Sequence, residues 1–485
     1  MPPMNTTDET ASPPPGADPQ PGGRSFAELP LPAAMLANLQ QIGYQMMTPI
    51  QAASLPLTLA GHDLIAQAKT GSGKTAAFAL PLLNKLNQRW FAVQALVLCP
   101  TRELADQVTR EMRRLARFTE NIKIVALCGG TTLRPQLASL ENGAHIVVGT
   151  PGRVMDHLER GSLDLDAVNT LVLDEADRML DMGFHDAMVF IAKHCPLKRQ
   201  TLLFSATYPE GIAELAERFL HQPKEVKLLE QHAGSKIRQR FYEIKHAERR
   251  QAVATLLKHY RPVSTLAFCN TKQQCRDLVE ELQAQGFHAL TLNGDMEQRE
   301  RDQVLIQFAN RSCSVLVATD VAARGLDIAQ LEAVINVDMT PDPEIHIHRI
   351  GRTGRGDEDG WALNLCSPGD RKRLERNANP SENEREWHTL GDLQSGNDAP
   401  LTPPMVTLQI LGGRKEKIRP GDVLGALTGE DGGGHRFTRE EVGKITVTEQ
   451  ATYVAIARPL AAAAVQKLSN GKVKGKTVKV RALED

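Results

Sequence analysis

At 485 residues the chain is too long for one hydrophobic core, and about three domains are expected. An apolar content of 41% and a charged content of 24% are ordinary for a globular protein and exclude a wholly disordered or fibrous one. The formal net charge of −1 says nothing about partners until it is divided by region. Seven cysteines without a C-x-x-C pair indicate neither a disulfide framework nor a zinc site. No uninterrupted apolar stretch reaches membrane-spanning length, and the N-terminus lacks a signal-peptide core, so a cytoplasmic protein without membrane contact is expected.

Residues 1–24 are rich in Pro, Gly, Asp and Thr and read as a disordered tail. From Ser25 short apolar runs recur between amphipathic stretches: Leu96 to Cys99, Ile146 to Val148, Leu171 to Leu173, Leu202 to Phe204. Continuous runs suit strands covered on both faces by helices, hence a parallel α/β sheet spanning residues 25–230. The same texture returns over 231–376, with Leu266 to Phe268, Val315 to Val317, Val334 to Val337 and Ala362 to Leu365. Residues 377–404 turn polar around Trp387 and read as a linker. Residues 405–485 follow a β-α-β-β-α-β order: Val406 to Leu411, Gly421 to Leu427, Lys444 to Thr448, Tyr453 to Ala457, Leu460 to Leu468, Thr477 to Val480. That is the ferredoxin-like layout of RNA-recognition modules. This last block holds 14 Lys and Arg against 9 Asp and Glu, a surplus of five that leaves −6 for the rest of the chain. Its basic end is a candidate nucleic-acid surface.

Only the first block carries a phosphate loop. Leu64 to Ala66 lead into Gln67, Ala68, Lys69, Thr70, Gly71, Ser72, Gly73, Lys74 and Thr75, and an apolar helical pattern follows. Gly71 and Gly73 let backbone amides turn toward phosphate oxygens, Lys74 adds a cation, and Thr75 a hydroxyl ligand for Mg2+. The general pattern has Gly where Ala68 stands. Asp174, Glu175, Ala176 and Asp177 close a predicted strand, where open sheets place ligands. Asp174 is positioned to hold Mg2+, partly through water, and Glu175 to orient or deprotonate the attacking water.

With these motifs in order, the chain resembles the DEAD-box RNA helicases from Phe26 to about Gly360. The loop from Ala68 to Thr75 matches the family's own version, so Ala68 is no misfit. The resemblance implies two tandem RecA-like domains that use ATP and Mg2+. Phe26, then Gly43, Tyr44 and Thr48 to Gln51, are similar to the adenine-reading segment: Phe26 would stack on the base and Gln51 pair with its edge. Thr101 and Arg102, Gly130, and Thr150 with Arg153 match RNA-backbone motifs. Ser205 and Thr207 match the element that couples hydrolysis to strand separation. In the second block, Asn270, Arg301 and Thr319 match further RNA motifs, and Asp327 the contact to the ATP ribose. His348 to Arg355 match the motif in which His348 couples the sites and Arg352 and Arg355 act as arginine fingers. Taken alone, Arg349, Arg352 and Arg355 read as a solvated basic face. The implied mechanism is closure of two domains on ATP and RNA, local non-processive unwinding, and positive coupling between the two ligands.

The third block resembles that of a bacterial subfamily of these helicases directed to 23S ribosomal RNA. The resemblance rests on Leu411 to Thr428, Val442 to Ile445, Tyr453 to Ile456 and Gly471 to Lys476. It implies an RRM-like module that recognises the hairpin near the peptidyl-transferase centre, and a role in large-ribosomal-subunit assembly. Tyr453 is one aromatic where two or three stacking rings are usual, so Lys415, Lys417, Lys474 and Lys476 are expected to contribute more. Lys467, Lys472, Lys479 and Arg481 extend this acid-free basic run, and Ala461 to Ala464 read as a helix close to the sheet. Two alternatives stand beside this expectation: a general helicase whose tail binds RNA loosely, and a nucleotide-gated RNA clamp.

Overall fold

The computed structural model describes residues 23–68, 72–208, 210–228, 237–323, 331–354, 359–376, 385–393, 401–429 and 435–483. The expected tail lies almost wholly outside them. Two compact units divide at Leu229 and Glu230.

The first unit is built on strands β1 (Leu64–Gln67), β2 (Ala95–Leu98), β3 (Ile124–Leu127), β4 (Ile146–Gly149), β5 (Thr170–Asp174), β6 (Gln200–Ser205) and β7 (Lys224–Lys227). They pair in the order β3-β4-β2-β5-β6-β1-β7, all parallel. Successive side chains leave a strand on opposite faces, so each apolar run feeds two cores. Leu64, Ala66, Val97, Val172, Leu202 and Phe204 lie in one core, and Ile65, Leu96, Leu98, Leu171, Leu173 and Leu203 in the other. The order places the carboxyl ends of β5, β6 and β1 side by side. Asp174, Ser205 and the phosphate loop stand at those ends.

The second unit repeats the plan with β8 (Ile237–Glu243), β9 (Thr265–Phe268), β10 (Ala289–Leu292), β11 (Val315–Ala318), β12 (Ala333–Asn336), β13 (Gly360–Cys366) and β14 (Trp387–His388), ordered β10-β11-β9-β12-β13-β8-β14. The expected linker is thus partly structured. Trp387 and His388 pair as an edge strand with Phe241 and Tyr242 of β8. The Trp387 ring meets Phe241 at 5.5 Å, and the Arg371 guanidinium lies 4.6 Å over it. Partial burial of that indole offsets the polarity of its neighbours, which composition alone could not weigh.

Within the same unit a four-stranded antiparallel sheet follows: β15 (Met405–Leu411), β16 (Val442–Val447), β17 (Ala451–Ala457) and β18 (Val480–Leu483), ordered β16-β17-β15-β18. Helices Pro420–Thr428 and Ala461–Asn470 cover one face. Val406, Leu408 and Ile410 point into that core, together with Ala461 and Ala464. The last strand starts three residues later than its expected Thr477, because the turn Val473 to Lys476 closes on itself and Val480 is the residue opposite Ile410. Among the described residues no helix is long and apolar enough to cross a membrane, and all seven cysteines are buried free thiols.

Candidate functional site

The helix Lys74–Lys85 begins at the phosphate loop, with Gly73 in the left-handed region (φ 92°). A side chain there would also collide with the Gln51 amide, so only glycine fits. Gln51 accepts from the Thr48 N–H at 2.9 Å and donates to the Gly73 carbonyl at 3.0 Å. It therefore holds the adenine-reading segment against the loop and retains one lone pair and one N–H for a base edge. Lys74 is buried, its ammonium folded onto the Ala68 carbonyl at 3.1 Å. Phe26 is only 2% exposed and sits edge-on to Tyr44 at 5.9 Å, so the ring expected to stack on adenine is covered in this structure. Thr70 and Gly71 lie outside the described residues.

Asp174 is fully enclosed, and its Oδ1 has no hydrogen-bond partner. Burial, opposed by Lys74 and reinforced by Glu175, pushes its carboxyl up to about 6. An orphaned carboxylate oxygen at the end of β5, within the field of Lys74, is what an oxygen-preferring divalent cation would satisfy, so the residues fit Mg2+. Glu175 adopts a left-handed conformation (φ 53°), rare for a residue with a side chain, and Arg178 donates to its Oε2 at 2.8 Å in a buried pair. Sequence reasoning missed Arg178; its position one helical turn beyond Glu175 was the available signal. Asp177 Oδ2 accepts from the Ala206 N–H, the Thr207 N–H and the Thr207 hydroxyl at 3.0 to 3.1 Å. The Ser205 hydroxyl donates to the Thr207 carbonyl at 2.6 Å. The coupling element is thereby wired to the acidic motif.

On the same sheet, Thr101 caps the helix Arg102–Leu115 by accepting from Leu104 N–H at 3.3 Å, while Arg102 pairs with Asp106 at 3.6 Å. Thr150 begins the helix Pro151–Glu159. From that helix Arg153 Nη2 donates to the Thr131 carbonyl at 3.1 Å, next to Gly130 (φ 74°). The expected RNA-backbone residues of this unit are thus brought together around one loop. Buried His157 supports the loop through Gln136 at 3.0 Å. Burial first, and Arg153 next, hold its imidazole below the usual histidine range.

In the second unit the organising residue is Arg349, at 2% exposure no member of a solvated face. It makes a bidentate pair with Asp320 at 2.7 Å, donates to Asn336 Oδ1 at 3.2 Å, the Asp338 carbonyl at 2.6 Å and Asn270 Oδ1 at 3.4 Å, and lies 5.0 Å from the Phe268 ring. Five acceptor atoms around the guanidinium replace its hydration, so the solvated-face alternative does not hold for Arg349. Asn270 is thereby oriented toward solvent, and Arg301 Nη2 ties its helix to the Ala322 carbonyl at 2.7 Å. Thr319 is buried one residue before Asp320, and Arg352 is buried one turn after His348. Asp327 and Arg355 lie outside the described residues.

The C-terminal module brings its two basic segments together. Lys474 donates to the Lys417 carbonyl, and both residues take left-handed backbone conformations. The Glu416 carboxylate is held below its ordinary range by the Gly413 N–H and then by Lys415 and Lys476. Arg414, Lys415, Lys417, Lys472, Lys474 and Lys476 form an exposed basic lobe. Lys467 does not belong to it: it is 4% exposed and donates to the Gly429 and His435 carbonyls at 2.9 and 3.0 Å. The opposite sheet face is closed. Tyr453 is 3% exposed, with its hydroxyl accepting from Gln409 at 3.2 Å, so the expected stacking ring is not presented. Thr407 on that face takes hydrogen bonds with Asn310 at 3.1 Å and Ser312 at 2.6 Å, and Met405 N–H donates to the Arg311 carbonyl at 3.3 Å. The module is docked on the turn before β11 through the sheet face that carries Tyr453, while the basic loops that composition marked for RNA stay exposed.

The family profile of the DEAD/DEAH box helicases matches residues 48–215, that of the helicase conserved C-terminal domain 248–357, and that of the DbpA RNA binding domain 407–482. The chain is 50% identical over 454 residues to ATP-dependent RNA helicase DbpA of Escherichia coli, covering 94% of this chain and 98% of that one. The chain belongs to the DEAD-box family of ATP-dependent RNA helicases. It is 43% identical over 344 residues to CshA of Listeria monocytogenes, covering 71% of this chain and 66% of that one. Saccharomyces cerevisiae Dbp5 bound to RNA and ADP BeF3 superimposes with a TM-score of 0.68 at 30% identity, over 76% of this chain and 96% of that one. The CshA and Dbp5 matches leave part of this chain uncovered, whereas the DbpA match and the RNA binding domain profile take in the C-terminal module. As a DEAD-box helicase the protein hydrolyses ATP and acts on RNA.

Proposed function

We propose that this helicase unwinds short RNA duplexes locally and is delivered by its C-terminal module to 23S ribosomal RNA, near the peptidyl-transferase centre, during large-subunit assembly. The observation that carries the reading is the basic lobe of Lys415, Lys417, Lys474 and Lys476, held by paired loops on a module docked against the second sheet. A rigid lobe offers fixed cations to RNA phosphates, and the docked sheet face leaves that lobe as the module's free binding surface. The likeness to DbpA over nearly the whole chain, C-terminal module included, supports the rRNA assignment that the resemblance of the third block implies.

In this reading Phe26 and Gln51 select adenine, and Gly71, Ser72, Gly73 and Lys74, with Ala68 and Thr70, cradle the phosphates. Thr75 and Asp174 would hold Mg2+, partly through water, and the ion would supply charge neutralisation at the phosphate oxygens. Glu175, oriented by Arg178, positions the attacking water. Asp327, Arg352 and Arg355 complete the site from the second unit, so hydrolysis depends on closure. Thr101, Arg102, Gly130, Thr150 and Arg153 take the RNA backbone on one side and Asn270, Arg301 and Thr319 on the other. Ser205, Thr207 and His348 report hydrolysis to these contacts.

The test compares ATPase stimulation by a 23S fragment carrying the hairpin with that by unstructured RNA of equal length. Stronger stimulation by the fragment is expected. Equal stimulation would sink the rRNA assignment.

A further inference from the structure

The helix Arg102–Leu115 carries the RNA-facing Thr101 and Arg102 at one end and runs about 20 Å to the other. Its far end is pinned to the segment that precedes the phosphate loop. Asn38 Nδ2 donates to the Leu115 carbonyl at 2.9 Å and to the Arg114 carbonyl at 3.4 Å, taking up orphan groups of the helix terminus. Arg114 donates to the Ile42 carbonyl, and its guanidinium lies 5.9 Å from the Tyr44 ring centre. Glu111 Oε1 accepts from the Tyr44 hydroxyl at 2.8 Å and from Arg114 at 3.4 Å. Tyr44 in turn meets Phe26 edge-on at 5.9 Å.

We propose that Tyr44, Glu111 and Arg114 are positioning residues that tie the adenine-reading segment to the RNA-facing helix, so that ATP and RNA bind with coupled affinity. The ring of Tyr44 packs on Phe26 whether or not it carries a hydroxyl; the hydroxyl serves only the tie to Glu111. Burial, and then Glu111, hold the phenol above its ordinary range, so the O–H remains a donor throughout the working pH range. A base entering against Phe26 must displace the residues now covering that ring. The nearest polar restraint on those residues leads directly into the helix that positions Thr101 and Arg102. A packed helix shifts as a body rather than bending within a turn, so the displacement reaches its other end.

The inference rests on Phe26 contacting adenine and on Thr101 and Arg102 contacting RNA. The experiment measures RNA affinity of the full chain with and without a non-hydrolysable ATP analogue, giving one coupling ratio per variant. Tyr44→Phe and Glu111→Ala are expected to lower that ratio about 5- to 10-fold, the range of one lost, partly exposed hydrogen bond. Glu111→Gln, which keeps an acceptor, should restore most of it. Turnover at saturating ATP and RNA should be unchanged in both Glu111 variants, because Glu111 belongs to neither the adenine-reading segment nor the RNA-backbone motifs. A wild-type ratio in Tyr44→Phe would overturn the link, as would equal loss in Glu111→Gln and Glu111→Ala. Phe26→Leu serves as the separate arm: if it leaves the KM for ATP unchanged, the adenine reading fails rather than the link.

Discussion

The most demanding prediction concerns Asp174→Asn in the absence of nucleotide. The carboxyl of Asp174 sits near 6 instead of 3.8 because it is enclosed, and Lys74 only partly compensates. For a group raised in the folded state, the neutral form is the favoured one. The cost of charging it is complete above about pH 6, shrinks as pH falls, and disappears below the unfolded value near 4. A shift of this size corresponds to about 3 kcal/mol at neutral or higher pH, and about half of that near pH 5. Asparagine copies the shape without the charge. Asp174→Asn should therefore raise the melting temperature of the ATP-binding unit by about 6–10 °C near pH 8, and by progressively less toward pH 4. Thermal unfolding followed across that pH range checks the sign and the slope together. Adding ATP and Mg2+ should narrow the gap, because ligand at about 100 times its Kd stabilises the native protein by about 2.7 kcal/mol and the variant has lost an ion ligand. A variant no more stable than wild type near pH 8 would refute the argument, as would a gain that does not vary with pH. In either case the orphan Oδ1 would owe nothing to a site built for a cation.

Three further outcomes follow from the same geometry. Glu175→Gln should lower turnover by about 10² to 10⁴-fold and, in the presence of ATP, slow RNA release, read by fluorescence dissociation; unchanged turnover would reassign the water-positioning role. Lys474→Ala with Lys476→Ala should abolish the hairpin preference and flatten the salt dependence of RNA affinity by roughly one unit of slope per lost phosphate contact, leaving basal ATPase in place. Thr407→Val leaves the Asn310 amide and Ser312 hydroxyl without a shared partner, at a cost of about 1–3 kcal/mol. It should release the module from the second sheet, seen as faster hydrogen exchange along Met405 to Gln409 with ATP affinity unchanged.

Much of this protein could be read along the chain because its defining signals are local. A phosphate cradle needs glycine, lysine and threonine at fixed offsets, and Ala68 to Thr75 carry those offsets whatever surrounds them. Parallel strands buried on both faces need unbroken apolar runs, so Leu96 to Cys99 and Leu171 to Leu173 announced their sheet. The acidic motif at the end of β5, the second α/β block and the β-α-β-β-α-β order of the tail were legible for the same reason. What the chain could not show is which polar groups would meet across long separations. Arg349 could be placed only in a motif, and folding alone closed five acceptor atoms around its guanidinium. Lys467 stood in a basic run, yet its ammonium donates to the Gly429 and His435 carbonyls. Trp387 seemed to mark a linker and became an edge strand. The face of the C-terminal sheet was decided last of all. Periodicity says that Thr407, Gln409 and Tyr453 share a face, but only the meeting of Thr407 with Asn310 and Ser312 turns that face from RNA toward the second domain. Such contacts join residues about a hundred positions apart, and no local spacing encodes them.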